Sequence, residues 1–139
     1  MNKSEISSVI RKLAIEAGEK IMEMYGTDDF QVKSKSDESP VTLADETADA
    51  HIFAGLRAAF PDAAIVTEEQ SDTHSESSDT FFIVDPLDGT KEFIKRRGDF
   101  TVNIAYVEQG IPTMGVVYAP AKKRLFLTDA DGVSFEEIG

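Results

Sequence analysis

The sequence predicts an α+β domain in which two N-terminal helices pack on a mainly antiparallel sheet. Three observations carry that expectation. Two stretches of helical periodicity come first, short β-rich runs follow, and tight turns space the later runs as a meander.

The first helix is expected over Ser4–Tyr25. There Ile6, Ile10, Leu13, Ala17, Ile21 and Met24 recur at steps of three and four, and Gly26 is a suitable stop. A short strand is expected around Phe30–Lys33, followed by a polar loop to Pro40. The second helix is expected to begin at Thr42, because Thr42-Leu43-Ala44-Asp45 has the form of a capping box with Asp in place of Glu. Its apolar stripe is Ala44, Ala48, Ile52, Leu56 and Ala59, and Pro61 lies just past its end. Ala63–Thr67 reads as a short buried strand that runs into Glu68 and Glu69. The Ser/Asp-rich stretch Gln70–Asp79 reads as a surface loop.

Phe81–Val84 is the next strand, and Thr90–Arg97 a short helix closed by Gly98. Beyond it, strands are expected over Phe100–Val107, Thr113–Tyr118, Arg124–Thr128 and Val133–Phe135. Turns at Gln109-Gly110, Ala119–Lys122 and Asp129–Gly132 link them. No internal repeat is visible.

The composition narrows the function classes. The 139 residues suit one domain or a substantial piece of a larger one. No apolar run approaches the roughly 20 residues that span a bilayer, and the N-terminus lacks the uninterrupted apolar core of a signal peptide. The absence of cysteine excludes disulfides, zinc-thiolate sites and thiol catalysis, and fits a cytoplasmic protein. Twenty-six acidic against 14 basic residues give a net charge of −12. Such a surface repels polyanions and argues against nucleic acid as a partner. A small phosphate ester remains compatible if divalent cations mediate the contact.

The stretch FFIVDPLDGT carries the chemistry. Pro86 removes an N–H and fixes its own backbone, so Asp85 is expected to leave the strand at a sharp bend. The three-residue step to Asp88 can fold both carboxylates around one point, and Gly89 permits close approach of a ligand to the backbone. A helix starting near Thr90 would present free N–H groups to an anion. Carboxylates alone repel phosphate, whereas Mg²⁺ ions held between them reverse the local field. The alternative is that Asp88 caps the helix and Asp85 is a turn residue. Glu68 and Glu69 end another strand, where side chains can converge with those of a neighbour. Adjacent strand residues face opposite ways, so one of the pair at most is a direct ligand.

Asp45 is a helix cap in one reading. In the other it orients a hydroxyl such as that of Thr90, and the pair takes a proton from the attacking water. His51 and His74 lack partners at metal spacing and read as structural or solvated. Lys33, Lys35 and Lys91 are able to meet a phosphate, while Lys95, Arg96 and Arg97 read better as a solvated face. A D-x-D-G-T strand end would suggest a phosphoaspartate enzyme of the haloacid-dehalogenase type. Here D-P-L-D-G-T is one residue longer, and two helices and a strand precede it.

In this order and spacing, SPVTLAD, VTEE, DPLDGTKEF and GDFTVNIAYVEQGIPTMGVVYAP resemble the inositol monophosphatase superfamily over nearly the whole chain. Lys91-Glu92-Phe93 followed by GDFTVNIA is most similar to the bacterial 3'(2'),5'-bisphosphate nucleotidases. The resemblance implies the N-terminal half of a layered αβαβα phosphatase fold. It implies a lithium-sensitive, Mg²⁺-dependent phosphatase that removes a phosphate from adenosine 3',5'-bisphosphate, a by-product of sulfate assimilation. An inositol or sugar phosphate as substrate is the alternative within the superfamily, and an inactive acidic module that binds cations or a partner is the alternative outside it. By the same resemblance Glu68, Asp85, the backbone carbonyl of Leu87 and Asp88 hold the metal, with Asp85 bridging. Asp88, Gly89 and Thr90 hold the phosphate; Asp45 and Thr90, with Glu68, serve the attacking water. Glu69 stands behind the ligands, and Lys35 lies near a further metal or the phosphate. Peripheral association with the inner membrane is compatible with it.

The family also carries a metal-ligand Asp in a downstream W-D-x-A-type motif. This sequence has no tryptophan and ends at Gly139. The expectation is therefore a metal- and phosphate-binding domain over residues 1–139 without its C-terminal half. Weak metal binding, little turnover alone and an exposed sheet edge prone to homodimerisation are expected with it.

Overall fold

In the computed structural model of the chain, the structure describes residues 3–25, 32–33, 41–67, 79–88, 100–128 and 134–138. Helix α1 (Lys3–Tyr25) places Ile6, Ile10, Leu13, Ala14, Ala17 and Ile21 in the core, which adds Ala14 to the expected stripe, while the Met24 side chain lies outside what the structure describes. Two short strands, β1 (Val32–Lys33) and β2 (Val41–Thr42), pair antiparallel. Helix α2 (Leu43–Ala59) begins one residue later than expected, because Thr42 is still paired in β2. Ala48, Ile52 and Leu56 form its buried stripe, and Phe60 adds a ring just beyond its end. Arg57 donates to the carbonyls of Pro61 (3.0 Å) and Ala63 (2.7 Å), placing a cation and its donors at the C-terminus of α2.

Six strands make the main sheet in the order β3-β4-β5-β6-β7-β8. They are β3 (Ile65–Thr67), β4 (Phe81–Asp88), β5 (Thr101–Glu108), β6 (Ile111–Ala119), β7 (Arg124–Thr128) and β8 (Ser134–Ile138). The β3–β4 pair is parallel, and every other neighbouring pair is antiparallel. The β5–β6 connection is the two-residue turn Gln109-Gly110, with φ values of 50° and 77°. Both central residues have positive φ, the conformation whose twist matches that of a hairpin. The expected turn Asp129–Gly132 and the expected helix Thr90–Arg97 lie outside the described residues.

β3 starts at Ile65 where Ala63 was expected, β5 is shifted by one residue from the expected Phe100–Val107, and three strands are longer than expected. β6 starts at Ile111, because the tight turn lets Glu108 pair with Ile111 directly. β8 runs on to Ile138, in register with Arg124 of β7. The third extension bears on function. β4 does not end at Val84 with a bend at Asp85; it continues through Pro86 to Asp88. Asp85 pairs with Asn103 and Asp88 with Thr101, so three steps on β4 match two on β5. The extra residue is a bulge, the kind of site where a strand tolerates a proline without a ladder hydrogen bond.

Both helices cover one face of the sheet, α1 on β5 and β6, α2 on β3 and β4. Phe82, Val84, Val102, Ile104, Met114, Val116, Leu125 and Leu127 point into that layer and are buried. Phe82 is its centre, stacked on Phe60 at 5.4 Å and tilted against Tyr106 at 5.0 Å between ring centroids. The opposite face carries Ile83, Val117 and Phe126, which are 38%, 41% and 41% exposed. At the β8 edge, Arg11 of α1 grips Glu137 with two hydrogen bonds of 2.7 and 2.9 Å.

Two stability predictions arise here. Phe82→Ala removes one of two fully buried phenylalanine rings and is expected to cost about 3–5 kcal/mol, measured by urea unfolding. Glu137 has its carboxyl pKa lowered chiefly by the hydrogen bonds from Arg11. A carboxyl lowered in the fold contributes stability above its unfolded pKa and loses it as pH falls through the folded pKa. Glu137→Gln is therefore expected to cost at most about 1 kcal/mol near neutral pH and nothing in strong acid. Equal differences in thermal midpoint at both pH values would exclude the ion pair as the source.

Candidate functional site

The candidate site forms where β4 passes its bulge. On a regular strand alternate residues share a face, so positions three apart face opposite ways. Ile83 and Asp85 face away from the helices. The bulge takes up one step, which buries both Pro86 and Leu87 and brings Asp88 back out. Leu87, only 3% exposed, belongs to the hydrophobic core and anchors the segment. Asp85 and Asp88 thus emerge on the same, open face of the sheet.

Asn103 of β5 fixes that assignment. It is the direct cross-strand partner of Asp85, and its Nδ2 donates to Asp88 Oδ2 at 3.4 Å. Its own Oδ1 is shut off from solvent and has no hydrogen-bond partner among the described residues. An open groove of about 660 Å³ crosses this face, lined by Asp85, Asn103, Ile83, Val117, Phe126 and Glu136 among others. Nothing in the sequence analysis singled out Asn103. An Asn in the middle of an apolar strand was a usable signal, since Asn is depleted in strands.

The parallel pairing of β3 and β4 sets their C-terminal ends side by side. Thr67, the last residue of β3, stands opposite Val84, the residue before Asp85. Glu68 follows Thr67 in the sequence; Glu68 and Glu69 themselves, with Lys35, Gly89 and Thr90, lie outside the described residues. Asp45 sits in the first turn of α2 and is buried, 3% exposed, as is Asp49 one turn further along the same helix. His51 donates to or accepts from Glu16 of α1 at 2.8 Å, a link between the helices that agrees with a structural reading.

Asp85 and Asp88 present hard oxygen donors, the kind that Mg²⁺ takes. These residues fit such an ion in chemistry and in facing. Among the described residues no group of three or more His, Cys, Asp or Glu side chains stands together to hold a metal. Among the same residues, no helix is long and apolar enough to cross a membrane.

The two-helix layer on a mostly antiparallel sheet is shared with solved structures of inositol monophosphatase-type proteins. The profile of the Inositol monophosphatase family matches residues 2–136, and the chain belongs to that family. Among curated relatives it is similar to the 3'(2'),5'-bisphosphate nucleotidases CysQ of Salmonella typhimurium and Escherichia coli. Each is 46% identical over 129 residues, which cover 91% of this chain and 52% of the relative. Among solved structures, CysQ from Bacteroides thetaiotaomicron superposes with a TM-score of 0.80 at 38% identity, covering 98% of this chain and 50% of that one. The suhB protein of Bartonella henselae superposes with a TM-score of 0.83 at 32% identity, covering 96% and 52%. The chain therefore spans about half the length of the relatives it matches.

The facing of the two carboxylates makes a specific prediction. If Asp85 and Asp88 act on one ion, Asp85→Asn and Asp88→Asn each weaken Mn²⁺ binding at least about tenfold, read by electron paramagnetic resonance of free Mn²⁺. The core residues are untouched, so far-UV circular dichroism stays as in the parent chain.

Proposed function

We propose that this chain is the metal- and phosphate-binding half of a Mg²⁺-dependent phosphatase that acts on 3'(2'),5'-bisphosphate nucleotides. Adenosine 3',5'-bisphosphate, cleaved to AMP and phosphate in sulfate assimilation, is the substrate we favour. The observation that carries the reading is the bulge in β4, which turns Asp85 and Asp88 onto one face of the sheet. The similarity to CysQ nucleotidases over 91% of the chain supports the choice of substrate class.

Each residue has a role in this reading. Glu68, Asp85 and Asp88, with the backbone carbonyl of Leu87, would hold Mg²⁺. Bound Mg²⁺ supplies positive charge for the phosphoryl oxygens and lowers the pKa of water. Asp88, Gly89 and Thr90 receive the phosphate, the latter two through backbone N–H groups. Asp45, held in the first turn of α2, orients the Thr90 hydroxyl, and the pair positions the attacking water and accepts its proton. Glu69 and Lys35 stand behind this set. Water attacks phosphorus in line with the leaving 3'-oxygen, and no phosphoenzyme forms.

The open sheet face, with Ile83, Val117 and Phe126 exposed beside the groove, is suited to packing against a second half of the fold. We place the determinants for the nucleoside there, so the present chain alone is expected to turn over substrate poorly.

The test compares phosphate release from adenosine 3',5'-bisphosphate and from inositol 1-phosphate, using the chain extended by a family-type second half. A preference of at least about tenfold in kcat/KM for the nucleotide is expected, equivalent to roughly 1.4 kcal/mol. A preference for the inositol ester would sink the nucleotidase assignment. Trapping of a phosphoaspartate at Asp85 would overturn direct attack by water.

A further inference from the structure

We propose that Asn103 is a positioning residue of the acidic site, holding the Asp88 carboxylate in the orientation in which it binds a divalent cation. The proposal rests on the metal-site reading above and adds a residue that the reading does not use.

Three features of Asn103 point the same way. It stands directly across from Asp85, so its side chain shares the face of both carboxylates. Its amide N–H reaches Asp88 Oδ2 at 3.4 Å, across the bulge that brings Asp88 to this face. Its Oδ1 is buried without a hydrogen-bond partner among the described residues. A buried unmet acceptor is costly, commonly about 1–3 kcal/mol. An apolar residue would avoid that cost at no loss of fit on a face that already holds Ile83, Val117 and Phe126. The polar amide is therefore poorly explained by stability and well explained by the carboxylates beside it.

The chemistry suits a supporting role. Two carboxylates on one face repel each other and have alternative rotamers. A neutral N–H donor between them restrains one without cancelling the charge a cation needs. At 3.4 Å the hydrogen bond is long, so its effect is on orientation. Groups that orient metal ligands in this way commonly contribute about 10–100-fold to metal affinity.

The experiment uses the full chain, Mn²⁺ as probe, and two readouts. Asn103→Leu keeps the volume and removes both polar atoms. It is expected to weaken Mn²⁺ binding about tenfold, while the metal-free thermal midpoint stays equal to that of the parent or rises. Asn103→Thr, which restores a donor on a strand-forming residue, is expected to recover part of the affinity. A purely structural role instead predicts that the leucine variant loses metal-free stability in step with binding, and that result would overturn the proposal. So would parental Mn²⁺ affinity in Asn103→Leu, or no recovery in Asn103→Thr. Asp85→Asn separates the two levels of the argument. If it abolishes binding while Asn103→Leu binds Mn²⁺ like the parent, only the Asn103 assignment fails. If the parent binds no Mn²⁺, or Asp85→Asn binds like the parent, the metal-site reading fails and the role of Asn103 with it.

Discussion

The pairing of β4 with β5 is the constraint on which the rest of the structure depends. It joins the parallel β3–β4 pair to the antiparallel meander, because β4 takes a parallel neighbour on one side and an antiparallel one on the other. It also contains the single extra residue between Asp85 and Asp88. A regular strand with the same three-residue step and no bulge would send one of the two carboxylates into the helix layer, where an unpaired charge is untenable. The bulge exchanges this for a buried leucine. Leu87 goes into the core and Asp88 goes out. Packing energy from an apolar side chain thus stabilises the orientation of the polar ones on either side.

That local event has meaning only because the sheet has two unlike faces. The helix-covered face is dry and continuous, from Ile6 and Ile10 on α1 through Phe82 and Val84 on β4 to Leu125 and Leu127 on β7. It holds the strands in register, since a slip by one residue would expose that entire set. The other face mixes carboxylates, an amide and exposed apolar side chains around a groove. Rigid on one side and open on the other, the sheet acts as a platform. The two-residue turn at Gln109-Gly110 contributes to the same rigidity: Gly110 donates to the Asp79 carbonyl at 2.9 Å and ties the hairpin to the approach of β4.

Much of the fold is legible in the sequence. The helical stripes of α1 and α2 read directly from three- and four-residue spacing, and the β5–β8 meander from turns between alternating runs. Both signals are local and were decisive because each element buries one face. Less was legible at Pro86. Proline ordinarily argues against a continuing strand, and the expectation of a bend at Asp85 followed from that rule. The strand continues because β5 pairs again beyond the proline at Asp88, an interaction between residues 13 positions apart in sequence (Asp88 with Thr101). Asn103 is an unusual residue for an apolar strand, but its role was hidden for a similar reason. Its significance lies in what stands across from it, and no spacing along one strand records that.

The sequence by itself determined the class of fold, the family, and which carboxylates are candidates for the site. Those properties follow from periodicity and short motifs, which are encoded within a few residues. Only the tertiary structure decided that Asp85 and Asp88 share a face, that Leu87 is the residue given up to the core, and that Asn103 stands between them. Each of these depends on cross-strand register. Register is set by the packing of a whole sheet against two helices, not by any one segment, so it had to be seen in three dimensions.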